Sequence, residues 1–138
     1  MRRYAQDCPI ARTLDIVGDR WTLIILRDLF FGRTKFSEFR DASPAPPPKV
    51  LSARLKMLTD EGLIERNVYS EHPLRADYRL TERGRTLQPV ILAIVKWGLD
   101  NMYDGEPKLH AAVAAYIYEH IPETRETLTE AGYAEGRP

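Results

Sequence analysis

The sequence predicts a mainly α-helical chain with one small β-hairpin, in the α+β class, and three observations support this prediction. Apolar residues recur with helical spacing in successive segments that end at a glycine or at a proline-rich turn. The helical segment that ends at Gly62 leads directly into two β-type runs, LIERNVY and ADYRLT, which the polar loop SEHPLR separates. Helix, stiff turn, helix and hairpin, in this order between Phe36 and Arg85, predict a winged helix-turn-helix.

Two helices are expected ahead of this motif. Pro9 suits the first position of a helix that runs to Gly18, because the amide that proline lacks would be unsatisfied there anyway. Asp19 can cap a second helix over residues 20–31, and Gly32 ends it. Since this second helix is apolar on most sides, we expect it to lie at the centre of the core.

The helix-turn-helix itself is expected around a proline-rich turn. A third helix begins near Ser37 and turns Phe36 and Phe39 inward. No helix can continue through SPAPPP, residues 43–48, because proline lacks an amide donor and disfavours helix in the residue before it. The fourth helix must therefore begin near Pro48. Its predicted buried stripe comprises Leu51, Leu55 and Leu58, and its predicted outer face comprises Lys49, Ser52, Ala53, Lys56 and Asp60.

The hairpin strands are expected at about residues 63–69 and 76–80. Thr81 then caps a long helix that continues through TERGRTLQPVILAIVKWG and bends at Pro89. The apolar residues of this helix cover more than one stripe, as expected for a helix that packs on a second subunit.

The remaining chain, from Pro107 onward, predicts an amphipathic helix that includes Leu109, followed by a Glu-rich helix and a tail. We therefore divide the chain into two parts. Residues 1–103 form the winged helix-turn-helix domain with extra N- and C-terminal dimerisation helices. Residues 104–138 form a C-terminal helical arm and tail.

Composition narrows the class of protein. A chain of 138 residues with 43% hydrophobic residues can bury one core without metals or disulfides, and its single cysteine excludes an intramolecular disulfide. The sequence shows no secretory signal and no apolar segment long enough to cross a bilayer, so we expect a cytoplasmic protein without membrane contact. Residues 1–100 hold 17 Lys and Arg against 13 Asp and Glu, whereas residues 101–138 hold three against seven. A basic body with an acidic tail is compatible with nucleic-acid binding.

The chain resembles the HxlR-type family of bacterial winged-helix transcription regulators. The matching stretches cover about residues 8–98 in the family's order; they are CPIARTLDIVGDRWTLIILRDLFFG, KFSEFR, PKVLSARLKMLTDEGLIERNVY and RADYRLTERGRTLQPV. The resemblance implies a homodimer, held by its terminal helices, that binds a two-fold operator on double-stranded DNA near a promoter. It also implies a role for Cys8, because some members sense oxidants or reactive electrophiles through a cysteine in the N-terminal block.

The chain departs from the family pattern in two places. Where the family has a glycine, an apolar residue and a serine or threonine cap, this chain has Ala45, Pro46 and Pro47. The fourth helix therefore lacks a side-chain cap normally worth about 1 kcal/mol, which Pro48 partly offsets by presetting the backbone. The chain also extends beyond Asp100 in a longer C-terminal arm than the pattern requires.

The candidate DNA-binding residues lie on the fourth helix and the hairpin. Lys49, Ser52 and Lys56 share the outer face of the helix and could contact phosphates or base edges in the major groove. Arg54 falls nearer the apolar stripe, so we expect its stem to pack and its guanidinium to reach a phosphate. Arg75, at the end of the hairpin loop, is the candidate wing contact. The alternative for each is an ordinary solvated surface, and for Arg66 and Arg79 on the strands both interpretations stay open.

Cys8 is a candidate redox or electrophile sensor. It precedes Pro9 at the expected start of the first helix, where the helix dipole favours a thiolate. Arg12 lies one turn on, and Arg2 and Arg3 are close in sequence, whereas Asp7 has the opposite effect. The alternative is a small buried apolar residue.

No catalytic or metal site is predicted. The three histidines, His72, His110 and His120, show no metal-type spacing with one another or with Cys8. The sequence has no glycine-rich phosphate loop, no paired-carboxylate signature and no catalytic triad. We therefore expect no enzyme, no cofactor and no metal.

Taken together, the features favour a homodimeric transcription regulator, interpreted as a repressor, on a pseudo-palindromic operator. A small-molecule effector stays open, and the sequence does not identify one. The alternative is a winged-helix protein-interaction module without direct DNA readout, which the zero net charge, the proline-rich turn and the acidic tail would also fit. A thiol enzyme built on Cys8 would require turnover of a peroxide or an electrophile.

Overall fold

The computed structural model describes residues 7–105 and 107–133. They form two compact units, of which the first ends at Thr86 and the second begins at Leu87. The elements of the first unit are α1 (Pro9–Val17), α2 (Thr22–Phe30), α3 (Phe36–Arg40), α4 (Pro48–Asp60), β1 (Ile64–Glu71), β2 (Leu74–Leu80) and α5 (Glu82–Arg85). The predicted fold class, mainly α with a small antiparallel hairpin, is confirmed.

Helix α2 lies at the centre of the first unit, as predicted. Ile25 and Leu26 have no exposed surface. The carboxylate of Asp19 accepts hydrogen bonds from the backbone amides of Trp21 at 2.9 Å and Thr22 at 3.1 Å, so this side chain caps the helix. At the other end Gly32 adopts a positive φ of 87°, a conformation that L residues rarely enter and that ends the helix.

Helix α4 begins at Pro48, as predicted, and its N-cap residue is Pro47, which offers no side-chain acceptor. Its leucine stripe is buried and its outer face is exposed; the stripe is Leu51, Leu55 and Leu58, and the face is Lys49, Ser52, Ala53, Lys56 and Asp60. The proline turn is anchored from inside. Pro46 is buried, and Nη2 of Arg27 donates a hydrogen bond to the carbonyl oxygen of Pro44 at 3.1 Å. These contacts hold the turn in place without a capping side chain.

The hairpin is longer, and its loop shorter, than the sequence predicts. Strands β1 and β2 pair antiparallel as far as Glu71 and Leu74, with an irregularity between Val68 and Ser70. The turn is therefore His72–Pro73 alone, closed by a hydrogen bond from the Ser70 hydroxyl to the Pro73 carbonyl at 2.8 Å. The predicted six-residue loop is wrong because its outer residues enter the ladder.

The hairpin also pairs with the chain ahead of α3. Lys35 forms a single antiparallel bridge with Asp77, and the amide of Tyr78 donates to the carbonyl of Thr34 at 2.8 Å. The aromatic ring of Tyr78 meets that of Phe39 edge-on, with ring centroids 6.3 Å apart. These contacts attach the wing to the start of the helix-turn-helix.

The predicted long helix from Thr81 is wrong. The Thr81 hydroxyl accepts a hydrogen bond from the amide of Gly84 at 3.0 Å and caps only α5. The chain then turns at Thr86 and Leu87 before α6 begins. Pro89 explains the break, because its ring would clash with the carbonyl four residues earlier and it has no amide to donate.

The second unit contains α6 (Gln88–Asn101), α7 (Ala111–His120), a 3₁₀ turn (Pro122–Thr124) and α8 (Arg125–Glu130). Its buried core comprises Ala114, Ile117, Ile121, Leu128 and Tyr133. Leu92, Val95 and Leu99 on one face of α6 pack against this core. Leu109 lies ahead of α7 rather than within it, and its backbone amide and carbonyl both bond to the Tyr133 hydroxyl, at 2.9 and 3.0 Å. The assignment of residues 104–138 as a separate arm stays a prediction.

None of the helices in the described part of the chain is both long and apolar enough to span a bilayer.

Candidate nucleic-acid interface

Three candidate residues share the exposed face of α4. Lys49, Ser52 and Lys56 are all exposed, on the side opposite the buried leucine stripe. Nζ of Lys56 lies 2.7 Å from a carboxylate oxygen of Asp60, one turn further along the helix. Both side chains are more than half exposed, so this ion pair contributes little stability and a phosphate could replace it. The face therefore presents two cations and a hydroxyl on the same side of α4.

Arg54 lies apart from this face. Its side chain is 34% exposed, and its Nε donates a hydrogen bond to Oδ1 of Asp19 at 3.1 Å. The structure therefore gives the guanidinium a partner inside the first unit, where it links α4 to the start of α2. The phosphate contact expected of Arg54 stays a prediction.

Asp19 receives more hydrogen bonds than a simple helix cap. Besides the amides of Trp21 and Thr22, the Thr22 hydroxyl and Arg54 donate to its carboxylate. Burial opposes ionisation, but the hydrogen bonds from Thr22, Trp21 and Arg54 outweigh it, so the pKa of Asp19 lies below its ordinary value. One carboxylate thus orients both α2 and α4.

Asp28, at the other end of α2, also accepts several hydrogen bonds through one carboxylate. It is 1% exposed, and its Oδ1 accepts hydrogen bonds from Nε and Nη2 of Arg27, at 3.0 and 2.9 Å, and from Nη1 of Arg33. Burial raises the pKa of Asp28 above its ordinary value despite the two arginines. Because Arg27 also holds the Pro44 carbonyl, this buried network connects α2 to the turn before α4.

This network was not predicted from the sequence. The available signal was an adjacent acid and base on a helix that is apolar on nearly every side, where a charge must be buried and therefore paired.

The wing carries its cations on two faces. Arg75 is exposed on β2, opposite Ser70 and two residues past the turn, rather than in a loop as predicted. By strand alternation it shares a face with Arg79, whose Nη2 lies 3.7 Å from a carboxylate oxygen of Asp77. Arg66 lies on the other face, across from Tyr78. Arg75 is thus the candidate cation nearest the tip of the hairpin.

Cys8 stands at the N-cap of α1, as predicted, and is half-buried. Its carbonyl accepts the first helical hydrogen bond, from the amide of Arg12 at 2.9 Å. The Arg12 guanidinium lies 3.5 Å from the Asp7 carboxylate, and both side chains are largely exposed. The Arg12 guanidinium thus has an exposed partner in Asp7. Arg2 and Arg3 lie outside the described residues.

Replacing Asp19 by Asn should lower the free energy of unfolding by about 1–3 kcal/mol at neutral pH, because a charged cap and an ion pair are both weakened. The folded-state pKa of Asp19 lies below the ordinary value of 3.8, so its contribution is complete above that value and is lost as pH falls through the folded pKa. The difference between wild type and Asp19→Asn should therefore shrink in acid. Urea unfolding at neutral and at acid pH measures it.

Asp41→Asn is the matched control, because Asp41 is an exposed aspartate paired with the neighbouring Arg40. It should leave the unfolding free energy nearly unchanged. A difference between wild type and Asp19→Asn that is equally large at both pH values would contradict the linkage.

The sequence of the chain is similar to those of known transcriptional regulators. A family model described as HxlR-like helix-turn-helix matches residues 16–106. The uncharacterized HTH-type transcriptional regulator YdeP of Bacillus subtilis (strain 168) is 42% identical over 107 residues, which cover 78% of this chain and 83% of YdeP.

Two solved structures are similar over most of the same region. The crystal structure of PA1607, a candidate transcription factor, superposes with a TM-score of 0.68 at 37% identity, covering 77% of this chain and 73% of PA1607. The redox regulator HypR in its oxidized form superposes with a TM-score of 0.63 at 37% identity, covering 68% of this chain and 97% of HypR. The curated relatives carry the names of regulators, not of enzymes. The chain belongs to the HxlR-like helix-turn-helix family of DNA-binding transcriptional regulators.

Proposed function

We propose that the chain is a homodimeric repressor that reads a pseudo-palindromic operator with α4. The observation that carries the proposal is the division of α4 into a buried leucine stripe and an exposed face with Lys49, Ser52 and Lys56. A helix in the major groove presents side chains at this spacing, and lysine and serine contact phosphates and base edges. Two α4 helices related by a two-fold axis would read half-sites about 10 bp apart, centre to centre.

The wing would supply the second contact. Arg75 is exposed near the tip of a hairpin that packs against α4 and pairs with the segment ahead of α3. An arginine in this position can enter the minor groove or bind a phosphate. We therefore keep Arg75 as the wing contact to DNA, although it lies on β2 and not in the hairpin loop.

Helix α6 supports dimerisation. Val90, Ile94 and Trp97 are 37%, 50% and 62% exposed and lie on one face of the helix. With Pro89 and Ala93 they line a shallow apolar cleft, while the other apolar face of α6 is covered by the core of the second unit. An exposed apolar patch of this kind is typical of a protein–protein interface, and we assign it to a second copy of the chain.

Cys8 would make the repressor responsive to oxidants. Support comes from its place at the start of α1 and from the similarity to HypR, a redox regulator. With one cysteine per chain, a disulfide must join two subunits. Two Cys8 thiols would transfer two electrons and two protons to hydrogen peroxide, which leaves as two waters while the S–S bond forms. The constraint on the two α1 helices would release the operator.

Lys49→Ala and Arg75→Ala should each weaken operator binding by about tenfold and reduce the slope of log affinity against log salt by about one, because each removes a phosphate contact. Fluorescence anisotropy with the chain's own upstream region, at several salt concentrations, measures both quantities. Lys108→Ala, an exposed lysine of the second unit, is the control and should bind as wild type does.

Absence of binding by the wild-type chain to this DNA and to selected genomic fragments at low salt would refute the repressor. If the two variants instead lost a protein partner and kept their DNA affinity, the interaction module would be the better description.

Trp97→Glu should convert the dimer to monomer, because it places a charge in the centre of the apolar face of α6. Sedimentation equilibrium over a range of protein concentrations measures the change. Leu74→Glu is a matched control, since Leu74 on the wing is 63% exposed against 62% for Trp97. If the Trp97→Glu dimer had the same dissociation constant as the wild-type dimer, the exposed face of α6 would not be the dimer interface.

Cys8→Ser should keep its affinity for the operator when hydrogen peroxide is added, whereas wild type should lose at least about tenfold. Anisotropy with and without peroxide measures the release, and a non-reducing gel shows whether the covalent dimer forms. Full peroxide-induced release from a Cys8→Ser protein would eliminate Cys8 as the sensor.

A further inference from the structure

A cleft at the base of the wing is not used by the proposed function. It lies entirely within the first unit and has a volume of about 290 Å³. Three arginines and one glutamate line it: Arg33, Arg79, Arg85 and Glu65. Glu65 stands directly across the strand register from Arg79, and Arg33 forms an ion pair with the buried carboxylate of Asp28. The lining itself carries three positive charges and one negative charge, and Asp77 lies 3.7 Å from Arg79 outside the lining.

The guanidinium groups that line the cleft retain hydrogen-bonding capacity. Nη1 of Arg85 donates to the carbonyl of Leu80 at 3.1 Å, and Nη1 of Arg33 donates to Asp28. Each contact uses one of the five N–H donors that a guanidinium carries. The same contacts restrain both side chains, which lowers the entropy that an incoming anion would cost.

Apart from Thr34, the rest of the lining is apolar or aromatic. Leu29 comes from α2, and Tyr78 and Leu80 come from β2. A site with cations beside an apolar wall suits a ligand with one anionic group and a hydrophobic body, and the volume suits a small one. Inorganic anions would leave the apolar wall without a partner.

We propose that this cleft binds a small organic carboxylate, with the carboxylate group at Arg85 and Arg33 and the hydrophobic body on the wall. Thr34 also lines the cleft, and its carbonyl receives the Tyr78 amide in the hydrogen bond that attaches the wing to the helices. A ligand that spans this junction changes how rigidly the wing is held. Binding itself is independent of the proposed repressor, and only its effect on DNA affinity rests on that function.

The test is an NMR titration of the full ¹⁵N-labelled chain with sodium benzoate and, separately, with benzamide, its neutral analogue. Benzoate should give saturable shifts at the amides of Thr34, Leu80 and Arg85, with a dissociation constant of about 1 mM for so small a ligand. Benzamide should bind at least about tenfold more weakly, because it cannot form a charge-assisted pair.

Arg85→Gln should weaken benzoate binding by about tenfold or more, whereas Arg83→Gln should not. Arg83 is the matched control because it belongs to the same short helix but donates to the Glu61 carbonyl and does not line the cleft. Unsaturable shifts, or equal binding by Arg85→Gln and wild type, would overturn the site. Equal affinity for inorganic phosphate and benzoate would show that the cleft does not select an organic carboxylate.

The DNA arm of the experiment keeps the two proposals apart. Arg85→Gln should bind the operator as wild type does without benzoate and should lose any change that benzoate causes in wild type. Failure of the wild-type chain to bind DNA at all would count against the repressor and leave the NMR result standing.

Discussion

The carboxylate of Asp19 is the interaction on which the arrangement of α2 and α4 in the first unit depends. Its Oδ1 caps α2 by accepting hydrogen bonds from the amides of Trp21 and Thr22, and the same oxygen accepts a hydrogen bond from Nε of Arg54 in α4. The central helix α2 and helix α4 are thus oriented by one partly buried carboxylate, which is stable as an ion because hydrogen bonds satisfy it. A hydrophobic contact alone would let α4 slide or rotate, whereas a shared carboxylate gives it one position.

The opposite end of α2 repeats this arrangement with Asp28. This buried acid binds Arg27, and Arg27 in turn holds the carbonyl of Pro44. The proline-rich turn lacks the capping side chain of the family pattern, so α4 begins without a side-chain acceptor. The buried network and Pro46 position the turn instead. The prolines before α4 are therefore compatible with a regular helix over Pro48–Asp60.

The second unit explains why α6 is apolar on more than one side. Leu92, Val95 and Leu99 are used within the chain, against the core that α7 and α8 complete. The exposed side with Ile94 and Trp97 is left over for the proposed second copy. Helices α7 and α8, which lie beyond the residues that the family model matches, thus cover one apolar face of α6.

Local sequence alone determined where most helices of the first unit begin and end and which face of α4 is buried. Pro9, Asp19, Gly32 and Pro48 mark helix ends through backbone geometry alone, and the leucine period of α4 separates its buried and exposed faces. Only the tertiary structure decided which partner each charge has. Arg54 pairs with an aspartate 35 residues away, and Arg75 lies in a strand because the ladder continues into the predicted loop. Such partners depend on long-range packing, which a local pattern does not encode.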